Sequence, residues 1–82
     1  MEQEILTALR RDFPDVKGDV AFESSTDRYN GHILSDRFKG LSFLERQNRV
    51  FDILREALGE KTQEISMLFT YTPAEYELLQ AA

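Results

Sequence analysis

The sequence predicts one α/β domain of the α+β kind, with element order α-β-β-α-β-α and a three-stranded sheet carrying its helices on one face. Three observations predict it. An apolar stripe at helical spacing opens at Ser42 and stops at Gly59. Three short stretches alternate apolar with polar residues. A second helix start, Thr72-Pro73-Ala74-Glu75, follows the last of them.

Near the N-terminus, Ile5, Leu6 and Leu9 recur at helical spacing with charges on the other face, which predicts a helix over residues 2–12 ended by Phe13-Pro14-Asp15. Val20 and Phe22 alternate with Asp19, Ala21 and Glu23, a short strand. The polar cluster Ser24-Ser25-Thr26-Asp27 is a turn, and Tyr29 to Ser35 is a second strand weakened by Gly31, so the pair reads as a β-hairpin. Asp36 to Leu41 is a loop. Ser42 and Glu45 then form a capping box for a helix with apolar residues at 43, 44, 50, 51, 54, 57 and 58, which packs Val50, Phe51, Leu54 and Leu58 on the sheet. Gly59 supplies a left-handed stop. Ile65, Met67, Phe69 and Tyr71 make a third strand. Thr72 and Glu75 form a second capping box, with Pro73 at the favoured first position of a terminal helix running to about residue 80.

Composition narrows the function. The 82 residues make a single domain, 1–82, without room for a second. The apolar share of 41% and six Phe belong to a chain that buries a core rather than to a disordered one. With no cysteine, disulfides, thiolate nucleophiles, zinc fingers and all-Cys iron–sulfur sites are excluded. His32 is the single histidine. No apolar run reaches the roughly 18 residues of a membrane span, and no basic start leads into an apolar segment, so the expected place is the cytoplasm, or an organelle matrix after processing. There is no glycine-rich phosphate loop, nucleophile elbow or H-E-x-x-H, and the expectation is a protein that is not an enzyme.

The run Ser35-Asp36-Arg37-Phe38-Lys39-Gly40-Leu41-Ser42, followed by Glu45-Arg46-Gln47, Val50 and Leu54, resembles the signature of the BolA family, an S-x-x-F-x-G-x-S loop leading into a helix with an R-Q or R-H pair. The tail from Ile65 through Thr72-Pro73-Ala74-Glu75-Tyr76 is similar to that family's closing strand and T-P-x-E-W/Y cap. Residues 29–76 carry the specific matches, while residues 1–28 match in pattern only. The resemblance implies a type II K-homology-like fold. It also implies a monothiol glutaredoxin as partner, a role in iron–sulfur and redox homeostasis, and a [2Fe–2S] cluster shared with that partner. It further implies links to transcriptional regulation and stress response, and a monomer or weak homodimer.

The family's histidine is expected in the closing strand, where Ile65-Ser66-Met67-Leu68 places Ser66 instead. Its second ligand, Cys or His, is expected in the loop between the first two strands, which here holds Ser24, Ser25, Thr26, Asp27 and Arg28. Hydroxyls are poor ligands for iron–sulfur clusters, so no intrinsic cofactor or metal site is expected. His32, inside the second strand, reads as a sheet-surface or hydrogen-bonded residue. Most of the loop motif reads as fold specification, with Phe38 as a core anchor and Gly40 permitting a turn.

The alternative function is DNA binding. The net charge is −5, yet residues 28–55 hold six basic side chains against three acidic ones. Arg37 and Lys39 are expected at a helix N-terminus, and Arg46 and Arg49, three apart, on one helix face. These four are the nucleic-acid candidates. The K-homology analogy is partial, since Lys39-Gly40-Leu41-Ser42 has one of the two glycines of a GxxG loop.

Overall fold

The computed structural model describes residues 1–81. Helix α1 spans Glu2–Leu9, strand β1 Lys17–Glu23, strand β2 Arg28–Leu34, helix α2 Phe43–Leu58, strand β3 Ile65–Tyr71 and helix α3 Pro73–Ala81, the order the sequence predicts. Two short 3₁₀ segments, Asp36–Phe38 and Gly59–Glu64, lie in what read as connections. The sheet has the order β1-β2-β3. β1 and β2 form an antiparallel hairpin, while β2 and β3 run parallel, joined by the α2 crossover.

Helix α1 is shorter than expected. The Leu9 carbonyl accepts both the Asp12 and the Phe13 N–H, at 3.1 and 2.8 Å, so the chain tightens into turns before Pro14 is reached. Phe13 is thereby delivered to the core, at 1% exposure. Strand β2 ends at Leu34 because Ser35 turns its side chain to cap the 3₁₀ segment that follows.

Sheet alternation sends Val20, Ile33 and Leu68 to one face, where they meet Ile5, Leu6 and Leu9 of α1 and Val50, Ile53 and Leu54 of α2. Burial of these side chains contributes roughly 1.5–3 kcal/mol each. Of the α2 residues expected on the sheet, Val50 and Leu54 are fully buried, whereas Phe51 and Leu58 are partly buried. Ile53 belongs to the core although the predicted stripe omits it, and Phe43 and Leu44 are exposed. The stripe is therefore centred on Val50-Ile53-Leu54, because α1 packs against the flank of α2 and widens its apolar arc.

The capping box of Ser42 and Glu45 is complete in both directions. Gly59 ends α2 with φ 57° but ψ −129°, a positive-φ stop that swings the chain into the second 3₁₀ segment. Helices α1 and α2 form the layer on one face, as expected. Helix α3 follows β3 and turns Tyr76 onto the other face, where its ring stacks on His32 with centroids 4.7 Å apart. No helix among the described residues is long and apolar enough to cross a membrane.

Candidate functional site

The loop-to-helix motif is built around a buried hydroxyl. Ser35, fully buried, donates to Asp15 Oδ1 at 2.6 Å and accepts the Arg37 N–H at 3.1 Å. The second Asp15 oxygen accepts the Asp36 N–H at 2.7 Å. The Ser35 hydroxyl, with the Asp36 and Asp15 N–H groups and the Arg37 charge, holds the Asp15 carboxyl below its ordinary value. Phe38 is buried completely, its ring 4.8 Å from that of Phe13. The motif thus specifies fold, and Asp15 is a part of it that sequence reading passed over. Its only local signal was a carboxylate just after the helix-breaking Pro14.

The four basic candidates separate. Arg37, Lys39 and Arg49 are exposed. Arg46 is not: its side chain is 11% exposed and its guanidinium is engaged inside the molecule. Nε donates to the Leu41 carbonyl at 3.1 Å and Nη1 to the Thr70 carbonyl at 3.1 Å. Nη1 and Nη2 grip the two Glu75 oxygens at 2.7 and 3.0 Å, and the charge lies over the Phe38 ring. Arg46 therefore leaves the nucleic-acid set. Its spacing from Arg49 is helical, but the side chain follows the carboxylate and the strand carbonyls rather than solvent. The cause is geometric, since a planar fork suits a carboxylate in two-point contact.

The residue after it does related work. Gln47 Nε2 donates to the Leu68 carbonyl at 2.8 Å, so the Arg-Gln pair closes two carbonyls, two residues apart, on the free edge of β3. Glu75 joins both systems, capping α3 through the Thr72 N–H at 2.8 Å while holding Arg46. Arg46, seconded by that N–H, lowers the Glu75 carboxyl from 4.5 to about 2.

The positions where the resemblance implies ligands do converge. Tyr29 pairs with Ile65, so the hairpin loop and the start of β3 share one end of the sheet. Ser66 is the extra residue of a bulge there and is exposed. In the loop, Ser25 donates to Glu23 at 2.7 Å, and Glu23 also accepts from Asn30. His32 sits further along, opposite Phe69 and Asp19. Its ring is stacked on Tyr76, and its Nε2 is 3.8 Å from Asp19 Oδ2. The single imidazole is a half-buried residue of the outer sheet face, opposite a β3 position three residues from Ser66. The hydroxyls do not fit a [2Fe–2S] cluster, which takes thiolate or imidazole, and the one imidazole is taken up in the stack on Tyr76. Among the described residues no group of three or more His, Cys, Asp or Glu could hold a metal ion.

Exposed apolar side chains form a further surface. Met67 and Phe69 lie on the outer face of the sheet, at 47 and 45% exposure. Phe43 at the start of α2 and Leu78 and Leu79 of α3 line one open groove with Tyr71. Sequence reading assigned Phe43 to the helix's core stripe and gave the groove no part. Its signal was the pairing of two adjacent leucines with a helix-start phenylalanine, legible only once α3 is placed beside α2.

No protein-family model and no curated protein sequence matches the chain. Solved structures do. BolA1 from Arabidopsis thaliana superposes with a TM-score of 0.68 at 22% identity over 90% of this chain and 93% of that one. The BolA domain of SufE1 from the same plant gives 0.69 at 24% identity over 90% and 93%. A bol-like protein from Babesia bovis gives 0.68 at 21% identity over 98% and 93%. With its mixed three-stranded sheet, its element order and these likenesses, the chain has the fold of the BolA-like proteins.

Proposed function

We propose that this protein is a non-catalytic, cytoplasmic adaptor in iron–sulfur and redox homeostasis that binds a monothiol glutaredoxin. The observation that carries this reading is the BolA-like fold across nine-tenths of the chain, together with the loop and closing motifs placed on it. Two features support it. The carboxyls that depart from their ordinary values (Asp15, Glu23, Glu45 and Glu75) are all held lower by donors, which leaves none of them poised as a proton donor near neutral pH. The outer sheet face and the α2–α3 groove offer exposed apolar area of the kind partner proteins cover.

Since this chain offers a cluster no fitting ligand, the contact is protein on protein. Mixing the protein with a monothiol glutaredoxin, with and without iron and sulfide, tests this by co-purification. A discrete complex in both conditions supports the reading, and none in either overturns it. Ser66→His should alter the absorption of an iron- and sulfide-reconstituted mixture, and His32→Ala should leave it unchanged. Dependence on His32 would show that the chain ligates iron in another register.

DNA binding through the basic loop and helix is the second reading, supported by the exposure of Arg37, Lys39 and Arg49 on neighbouring elements. It is the weaker one. Arg46 is engaged elsewhere, the exposed Asp36 and Asp52 lie in the same stretch of chain, and the exposed Asp12 lines one hollow with Arg49 and Asp52.

A further inference from the structure

Strand β1 is an edge of the sheet. The Val20 N–H turns away from β2, because it donates to Glu2 Oε2 of α1 at 2.8 Å. With a strand period of two, the N–H and C=O groups of Gly18, Val20 and Phe22 all face that free edge, and those of Lys17, Asp19, Ala21 and Glu23 face β2. The edge is self-complementary. An antiparallel copy laid on it with Val20 at a two-fold axis places Val20 opposite Val20, Gly18 opposite Phe22 and Lys17 opposite Glu23, each mixed pairing occurring twice by symmetry.

In that register every outward N–H and C=O of Gly18, Val20 and Phe22 finds a partner. Lys17 and Glu23, both exposed, lie on the same face and carry opposite charges. Phe22, 52% exposed, comes to lie over a glycine, which offers its ring a bare backbone to cover. A register shifted by one residue would turn each charged pair onto opposite faces.

We propose that the free edge of β1 docks a second copy of this chain, extending the three-stranded sheet to six strands, and that Glu2 holds this edge shut in the monomer. The Glu2 carboxylate occupies the central donor of the ladder, so a second strand pairs only after displacing it. The charge pattern identifies the occupant, because the strand that places a glutamate opposite Lys17 and a lysine opposite Glu23 in antiparallel register is β1 itself.

Sedimentation equilibrium of the full chain tests the proposal. Glu2→Ala should tighten self-association by about tenfold relative to the unaltered protein, the scale of a few cross-strand contacts. Lys17→Glu added to Glu2→Ala should return the protein to monomer, and adding Glu23→Lys to both should restore the dimer. The Gly18 and Phe22 amides should gain hydrogen-exchange protection as the dimer forms. A Glu2→Ala protein no more associated than the unaltered one overturns the proposal. So does a dimer indifferent to Lys17→Glu, or one whose Gly18 and Phe22 amides still exchange freely. Should Glu2→Ala fail to fold by circular dichroism, the same amides are followed in the unaltered protein up to its solubility limit. Protection that rises with concentration supports the edge contact, and protection that stays constant overturns it.

Discussion

Arg46 and Glu75, twenty-nine positions apart, meet in a two-point ion pair with nitrogen–oxygen distances of 2.7 and 3.0 Å. Through it the middle of the chain is tied to the last helix. The same guanidinium closes the Thr70 carbonyl, so one side chain joins α2, β3 and α3. Removing the guanidinium leaves the Glu75 carboxylate and the Leu41 and Thr70 carbonyls without their donor, which has a definite consequence.

Arg46→Met should destabilise the fold by about 2 kcal/mol, the low end for a buried pair because Glu75 itself is partly exposed. The pH dependence follows from the sign of the shift. Glu75 is lowered in the folded state, so its contribution is complete above the ordinary value of 4.5 and is lost as pH falls towards about 2. Urea midpoints measured between these pH values should fall more steeply for the unaltered protein than for Arg46→Met. Equal slopes would mean that the pair is not linked to stability.

Ser35→Ala removes the buried hydroxyl that joins Asp15 to the 3₁₀ segment. It should cost about 1 kcal/mol, the usual scale of a lost helix-end cap. Because the Ser35 hydroxyl is the first cause of the lowered Asp15 carboxyl, the same change should move that carboxyl back up. Carboxyl-carbon NMR titration of Asp15 reads this directly, and an unmoved titration would refute the assignment.

Gly31→Ala should be among the costlier single changes. A Cβ on Gly31 would overlap the Asp19 carbonyl oxygen across the hairpin, and that oxygen is backbone. The strands would have to part, at about 2–3 kcal/mol. A thermal midpoint within a degree or two of the unaltered protein would contradict this close approach.

Charge reversal distinguishes the surface cations from the buried one. Reversing Arg37, Lys39 and Arg49 together should abolish the salt dependence of any DNA affinity while leaving thermal stability nearly unchanged. Reversal at Arg46 should instead lower stability first. DNA affinity untouched by the triple change would mark the three residues as ordinary solvated surface.

The sequence by itself determined the element order, both capping boxes, the hairpin and the Gly59 stop, because each depends on residues within a few positions of one another. Apolar period, a hydroxyl three residues before a glutamate, and a glycine after a helix are local signals, and local backbone chemistry answers them. It also determined which residue types, Ser66 and those of the 24–28 loop, stand at the positions where the resemblance implies ligands. Only the tertiary structure decided that Arg46 is a tie rather than a surface charge, that Asp15 caps the turn after Ser35, and that Glu2 covers the β1 edge. Each joins groups far apart in sequence, between 18 and 29 positions. A guanidinium or carboxylate takes whichever donors and acceptors the assembled elements bring within about 3 Å, and periodicity along the chain carries no record of that choice.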